Sequence, residues 1–270
     1  MAKLKVGIIG CGVIGSALAE AIENRFSKSA DLVAVSDLDQ EKSRKLVGSL
    51  KANPQILSID KLIDTSELII EAASKQVSGD IAYKALQQGK DIMVMSVGGL
   101  IERQDVLRMA EQEGAHLYIP SGAVCGLDGV KAASIGKIKS ATLATRKPPR
   151  GLEGAPYIID KRIDLKKIKT ETLIFDGPAS RAVTAFPKNI NVCAALSLAG
   201  IGAQKTRVKI FTSPDYETNS HEIQVEGDFG KLVTRTENVP SPANPKTSFL
   251  APLSAIATLK NILDVVKIGT

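Results

Sequence analysis

The apolar positions of the first 120 residues alternate between short continuous runs and helically spaced stretches. Short runs rich in aliphatic side chains predict strands over residues 4–9, 31–36, 68–72, 91–95 and 116–119. Between them, apolar positions at helical spacing predict helices, one ending near residues 27–29 and others over 40–50, 79–88 and 101–113. Regular alternation of this kind predicts a parallel, doubly wound α/β sheet.

The pattern of hydrophobic positions changes after residue 121. Longer β-type segments follow at 140–145, 171–175, 206–213, 221–226 and 230–237, and 189–198 is predicted to be a helix. The last two segments meet across Gly227-Asp228, which is typical of a hairpin, so we expect a mostly antiparallel sheet. Residues 122–245 therefore form a predicted second, α+β domain. A helical pattern at 253–266 predicts that the chain returns to the first domain, which comprises 1–121 and 246–270.

Composition and charge narrow the class of protein. The 270 residues are 44% hydrophobic and 24% charged, which is typical of a globular chain. The net charge of +6 arises from scattered basic residues without interleaved aromatics, so we expect no nucleic-acid partner, but an anionic small molecule or a solvated basic surface.

Membrane, leader and cysteine patterns point to the cytoplasm. No apolar run reaches about 18 residues, and a strand occupies the place of a signal peptide, so we expect no membrane association. The three cysteines are widely spaced and form no CxxC pair, so we expect no metal site and a reducing, cytoplasmic location.

A glycine motif joins the first strand to the first helix. Gly10, Gly12 and Gly15 have the GxGxxG spacing, with Val13-Ile14 opening the helix. The bare motif can be an ordinary turn, but between a strand and a helix it is typical of a Rossmann domain that binds a dinucleotide. The first glycine permits the turn, the second admits the pyrophosphate, the third lets helix and strand approach, and the first helical N–H groups bind the phosphates.

An acid follows the second strand at the distance expected of this motif. Asp37 can accept hydrogen bonds from both hydroxyls of the adenosine ribose, which favours NAD over NADP. Lys42 and Arg44 lie close downstream and can accommodate a 2′-phosphate. The predicted cofactor is therefore NAD or NADP.

Further candidates lie where other predicted strands end, because ligands of open α/β sheets bind beyond the carboxyl ends of the strands. These are Ala73 and Ser74, Ser96, and the loop Ser121-Gly122-Ala123. Small residues there let the nicotinamide half of the cofactor approach the backbone, although plain turn chemistry explains any one of them equally well.

Only two histidines are available for proton exchange near neutral pH. His116 starts a strand of the first domain, far from any carboxyl end, and is predicted to be structural. His221 starts a strand of the second domain and is the candidate base. A lone histidine is more often a packing residue, so the residues alone leave both readings open.

Arg146 and Lys147 end a β-segment before two prolines and are the candidates for holding a substrate carboxylate, with Arg146 preferred for its bidentate geometry. A solvated strand end is the alternative. Asn189 can orient a carboxamide or simply cap a helix.

Several stretches together resemble the archaeal-type L-aspartate dehydrogenase family over nearly the whole chain. The most specific are Ser121-Gly122-Ala123 with Gly126-Leu127-Asp128, Thr145-Arg146-Lys147-Pro148-Pro149, Phe186-Pro187-Lys188-Asn189-Ile190-Asn191-Val192, Asn219-Ser220-His221-Glu222-Ile223 with Gly227 and Phe229-Gly230, and Asn244-Pro245-Lys246-Thr247-Ser248.

The resemblance implies that Ala123 and Asn189 contact the cofactor and that His221 is the catalytic histidine. It implies oxidation of L-aspartate by hydride transfer to NAD(P), giving iminoaspartate, which is hydrolysed to oxaloacetate and ammonia or used in NAD biosynthesis. It also implies a homodimer without a metal. Two alternatives remain: a relative of dihydrodipicolinate reductase or homoserine dehydrogenase, and a protein that senses NAD(H) without turnover.

Overall fold

The computed structural model describes residues 2–187, 190–242 and 244–269. The chain divides into two compact units. Unit 1 runs to Pro120 and resumes over Ala251–Lys267, and unit 2 comprises Ser121–Leu250 with the short segment after Lys267.

Unit 1 is a six-stranded sheet in the order β3-β2-β1-β4-β5-β6, and every neighbouring pair of strands is parallel. Its elements are β1 (Leu4–Ile9), α1 (Val13–Arg25), β2 (Ala30–Ser36), α2 (Gln40–Ser49), β3 (Gln55–Ile56), α3 (Ile59–Thr65), β4 (Leu68–Glu71), α4 (Lys75–Gln87), β5 (Asp91–Val94), a 3₁₀ turn (Val97–Leu100), α5 (Gln104–Glu113) and β6 (Leu117–Tyr118).

The core of unit 1 lies against the central strands. β1 and β4 are buried almost throughout because helices cover both faces of a parallel sheet. A helix from the far end of the chain completes this core, since Ala255 and Leu259 of α10 (Leu250–Leu263) are fully buried with Val6, Ile8 and Leu18.

Unit 2 contains a five-stranded sheet in the order β11-β10-β7-β9-β8, with only the β7–β9 pair parallel among its neighbours. Its elements before α10 are α6 (Leu127–Ile135), β7 (Ile138–Lys147), α7 (Pro156–Asp160), β8 (Thr172–Pro178), α8 (Ala179–Ala185), α9 (Ile190–Ala199), β9 (Arg207–Thr212), β10 (Asn219–Gly227), β11 (Gly230–Asn238), β12 (Pro240–Ser241) and β13 (Asn244–Ser248), with 3₁₀ turns at Pro149–Gly151 and Leu165–Lys167.

The two faces of this sheet differ in what covers them. One face carries Leu143, Ile210 and Ile223, which are buried in a core shared with the helices of unit 2. The opposite face carries mostly polar and charged side chains, and along β11 half-buried and exposed positions alternate up to the buried Asn238. Because side chains alternate along a strand, neighbours in sequence lie on different faces.

The predicted fold class is confirmed: a parallel α/β sheet is followed by a second unit with a largely antiparallel sheet. The sequence did not predict β3, α3, α6, α7 or α8, all of them nine residues or shorter. Ser121, residues 246–250 and the short segment after Lys267 group with unit 2. Among the described residues, no helix is both long and apolar enough to cross a membrane.

Candidate functional site

The turn after β1 has the shape that a dinucleotide requires. Gly10 has φ +101°, and a Cβ there would overlap the backbone at Ala72, while a Cβ on Gly15 would overlap the carbonyl oxygen of Gly10. A Cβ on Gly12 would meet nothing within 4 Å. The first and third glycines are therefore needed for the turn itself, and the second leaves open space in front of the N-terminus of α1, which begins at Val13-Ile14.

Asp37 lies beside this turn at the end of β2. One carboxylate oxygen accepts a hydrogen bond from the backbone N–H of Cys11 at 2.7 Å, and the other accepts one from Asp39 at 2.9 Å. Each oxygen keeps a further lone pair for a ribose hydroxyl. Asp37 is thus fixed in orientation against the glycine turn.

A cavity of about 670 Å³ opens along these residues and is formed within unit 1. Its lining includes Gly10, Gly12, Asp37, Leu38, Lys42, Ala73 and Ser74. The glycine turn, the acid and the loop after β4 thus meet at the carboxyl edge of the sheet, where a dinucleotide fits. Lys42 lies on the same lining.

Ser96 follows β5, and its backbone N–H donates to Glu71 at 3.0 Å. Glu71 is fully buried and also accepts from the N–H of Ala73 at 2.8 Å. Burial raises the pKa of Glu71, against the opposing effect of N–H donors from Ser96, Ala73 and Ser74. Sequence reasoning missed this residue, because a carboxylate at the end of an apolar strand carries no motif.

His221 lies on β10 directly opposite Thr145 of β7. Its Nδ1 is 3.0 Å from the hydroxyl oxygen of Thr145, and the ring is 5% exposed. Burial lowers the pKa of His221 to about 3, and the positive charge of Lys147 adds to the effect. An unperturbed histidine titrates near about 6.5, so His221 stays neutral over a wider pH range than expected from its sequence.

Lys147 and Arg146 point to opposite faces of the sheet. Lys147 is buried, two residues beyond Thr145 on the strand and therefore on the face of His221. Arg146 lies on the other face, with Nε 3.5 Å from Glu171, Nη1 3.7 Å from Glu222 and its guanidinium over the Phe211 ring. Within unit 2, the structure thus brings Lys147, and not Arg146, to the histidine.

The loop containing Ala123 is attached to the strand next to His221. The carbonyl oxygen of Ala123 accepts from the Thr236 hydroxyl at 2.9 Å and from the Asn238 amide at 3.0 Å. Thr236 is the residue of β11 that lies directly opposite His221. These bonds hold the predicted cofactor-contacting loop beside the histidine.

Asn189 lies outside the described residues. His116 lies at the opposite edge of the parallel sheet from the cavity, with Nδ1 3.1 Å from Asp91 and its ring stacked on Tyr118. These contacts agree with a structural role for His116.

Comparison with known proteins assigns the two halves of the chain separately. Residues 10–120 match a family model described as the NAD-binding domain of homoserine dehydrogenase, and residues 128–262 match one described as the C-terminal domain of aspartate dehydrogenase. A protein of Methanosarcina barkeri named L-aspartate dehydrogenase is 51% identical over 99% of this chain and 100% of its own length. The chain belongs to the L-aspartate dehydrogenase family.

The family extends to distant organisms. A relative of the same name from Bradyrhizobium diazoefficiens is 38% identical, over 99% of this chain and 95% of its own length. The solved structure of an aspartate dehydrogenase from Thermotoga maritima has a TM-score of 0.78 at 23% identity, covering 99% of this chain and 100% of that one. The structural match shows that the two-unit fold is shared.

Sequence reasoning missed three residues that lie beside His221 and the Ala123 loop. Thr145, Thr236 and Asn238 contact either the His221 ring or the loop of Ala123. Their partners are set by strand register, so the signal that could have found them was the pairing of β7, β10 and β11. Among the described residues, no group of three or more His, Cys, Asp or Glu side chains is placed to hold a metal ion.

Proposed function

We propose that this chain oxidises L-aspartate to iminoaspartate by hydride transfer from Cα to NAD(P). The observation that carries the proposal is that a buried, neutral His221 and the cation Lys147 lie close together on one face of the sheet. This pair lies in the half of the chain that matches the aspartate dehydrogenase C-terminal model. The same match favours this activity over that of homoserine dehydrogenase, whose model matches only the first half.

The chain uses NAD(P), and the cavity of unit 1 has the residues that a dinucleotide requires. Gly12 leaves room for the pyrophosphate, and α1 begins beside it, so the N–H groups of Val13 and Ile14 can bind the phosphates. Asp37 lines the same cavity and can accept hydrogen bonds from the ribose hydroxyls. We assign Ala73, Ser74 and Ser96 to the loops that meet the nicotinamide half of the cofactor. We also propose, on the resemblance alone, that Ala123 and Asn189 contact the cofactor. When bound, the nicotinamide ring accepts the hydride and its two electrons.

His221 accepts the proton. Oxidation of the amine removes a hydride from Cα and a proton from nitrogen. The neutral imidazole can take that proton once a substrate carboxylate offsets the charge of Lys147, which lowers the pKa of the ring in the free protein. The Thr145 hydroxyl engages Nδ1, which leaves Nε2 as the nitrogen for the substrate. The same nitrogen can activate the water that hydrolyses iminoaspartate to oxaloacetate and ammonia.

Lys147 binds a substrate carboxylate. Its ammonium group lies close enough to His221 to lower the pKa of the ring, and both residues are on the same face of the sheet. A carboxylate bound to Lys147 would bring the amino group of aspartate towards the imidazole. Arg146 instead forms ion pairs with Glu171 and Glu222 on the opposite face of the sheet.

The decisive test is a panel of L-aspartate, homoserine and other amino acids with NAD and NADP, followed by the absorbance of reduced nicotinamide. Reduction with L-aspartate alone supports the proposal. Turnover of homoserine would assign the alternative activity. Tight NADH binding without turnover of any substrate would make the chain an NAD(H) sensor.

We further propose a homodimer formed by the polar face of the five-stranded sheet. On this face Val233 of β11 and Leu173 of β8, the two edge strands, are about half exposed, at 54% and 48%. Arg235 and Glu237 near Val233 carry charges of both signs. A two-fold axis would place this face against its own copy. Sedimentation of the wild-type chain and of Val233→Asp tests this, since a stable monomer in both would refute it.

The cytoplasm is the proposed location. Cys11, Cys125 and Cys193 are in the thiol form and form no disulfide, which fits a reducing compartment. A small-molecule dehydrogenase also needs access to the NAD pool. Fractionation of cells that produce the protein would test this assignment.

A further inference from the structure

Glu71 is a buried carboxylate for which the proposed reaction has no use. It ends β4, and its side chain is fully buried within unit 1. The hydrogen bonds that reach it come from the loops around it, chiefly from backbone N–H groups. Taking a carboxylate out of water is costly, so its retention in an otherwise aliphatic strand calls for a role.

The two oxygens of Glu71 bind two different loops. Oε1 accepts from the N–H of Ala73, in the loop that leads from β4 to α4, at 2.8 Å. Oε2 accepts from the N–H of Ser96, in the loop that follows β5, at 3.0 Å. One side chain therefore fixes the separation of two neighbouring loops at the carboxyl edge of the sheet.

The first of these loops in turn supports the glycine turn. A Cβ on Gly10 would overlap the backbone of Ala72 and Ala73, which shows how closely the two segments pack. Ala73 and Gly10 also line the same cavity. A shift of the Ala73 loop would therefore change the floor of the cavity and the glycine turn together.

The second loop is held from both sides. The carbonyl oxygen of Ser96 accepts from the hydroxyl of Ser78 on α4 at 2.9 Å, while its N–H donates to Glu71. Gly99, in the 3₁₀ turn that follows, packs so closely on Ser78 and Lys75 that a Cβ would overlap both. The loop after β5 is thus tied to α4 through Ser78 and to the loop after β4 through Glu71.

We infer that Glu71 is a positioning residue for the cofactor, which locks the Ala73 and Ser96 loops into the arrangement that NAD(P) binds. This inference rests on the proposed use of NAD(P) and adds a residue that never touches the cofactor. A carboxylate is required because both loops present N–H donors. A glutamine would turn its own NH₂ towards one of them and leave that donor without an acceptor.

The test compares Glu71→Gln with Glu67→Gln in the full chain, using NADH as the probe. Glu67 is the matched control, because it also accepts a backbone N–H, that of Lys5 at 2.8 Å, but is exposed at the opposite end of β4. We expect Glu71→Gln to weaken NADH binding by about tenfold or more, with the KM for aspartate within about twofold of wild type. Glu67→Gln should bind NADH as the wild type does.

Wild-type NADH affinity in a folded Glu71→Gln, or an equal loss in Glu67→Gln, overturns the inference. Where thermal melting shows that Glu71→Gln does not fold, Glu71→Asp decides the question. It keeps both oxygens on a shorter side chain, so weaker NADH binding supports the inference and unchanged binding overturns it. A wild-type protein that binds NADH but leaves aspartate unoxidised would refute the proposed function alone, because the comparison of the Glu71 variants would still stand.

Discussion

Two adjacent cations, Arg146 and Lys147, have different surroundings because they point to opposite faces of β7. Arg146 is 21% exposed in its side chain and lies between Glu171 and Glu222. Lys147 is buried on the face of His221. The sequence identified both as candidates, but it could not assign the face, since that depends on which residue of β10 lies opposite each of them.

Replacement of each cation by methionine separates their roles. Lys147→Met should raise the KM for aspartate by about tenfold to a hundredfold, because a hydrogen bond to a charged group contributes roughly 1.5–3 kcal/mol. Arg146→Met should change that KM by no more than about twofold, since partly exposed ion pairs contribute little. Steady-state kinetics at saturating NAD measures both, with the Kd for NADH as the control. The opposite ranking would show that Arg146 binds the substrate.

His221 gives a second prediction at this scale. His221→Gln should lower kcat by about 10²–10⁴-fold and leave NADH binding intact, as expected for loss of a general base. Because burial and Lys147 lower the pKa of His221 to about 3, the wild-type kcat/KM should not fall through a midpoint near 6.5 on acidification. A pH profile from 5 to 9 measures this.

The control for His221 is His116→Gln, at the far edge of the parallel sheet. It should keep wild-type kcat. Wild-type kcat in His221→Gln would remove His221 as the base, and a wild-type acidic limb near pH 6.5 that vanishes in His221→Gln would contradict the lowered pKa of the ring.

At the scale of elements, the run from β1 through α1 to β2 was predictable. Its strands are continuous aliphatic runs, and its helix has a single apolar face. Its turn has the glycine spacing of the GxGxxG motif, because side chains at the first and third positions would overlap the backbone. β3 has only two residues and α7 only five, so both are too short to show a periodic pattern of hydrophobic positions. The parallel pairing of β7 with β9 was equally hidden, because it joins segments about 60 residues apart.

The turn at the end of β2 carries the prediction on cofactor choice. Asp37→Ala should lower the ratio of kcat/KM for NAD over NADP by about tenfold or more, because the charge that binds the ribose hydroxyls and repels a 2′-phosphate is removed. Asp31→Ala, an exposed acid near the other end of β2, is the matched control. The ratio is measured by initial rates with both cofactors, and an unchanged ratio in Asp37→Ala would place the ribose elsewhere.

At the scale of the whole molecule, unit 1 is assembled from two separate parts of the chain. α10 contributes Ala255 and Leu259 to a core that otherwise comes from the first 120 residues. Leu259→Ala should therefore lower the free energy of unfolding by about 2–5 kcal/mol through the cavity that it leaves. Thermal unfolding followed by circular dichroism measures the loss, which should lower Tm by several degrees.

The control lies on the same helix. Leu253 is 41% exposed, so Leu253→Ala should change the free energy of unfolding by no more than about 0.5 kcal/mol. Equal effects of the two substitutions would mean that α10 does not complete the core of unit 1.

Because α10 is near the end of the chain, it affects the order in which the two units can fold during synthesis. On a ribosome the chain emerges from its amino end, so residues 121–250 are made before α10 exists. Unit 2, whose core comes from one continuous stretch, can fold during this time. The six parallel strands must wait with Val6 and Ile8 still uncovered by Ala255 and Leu259. The nucleotide-binding unit is thus translated first but completed last, and until then its aliphatic strands lack the cover that α10 provides.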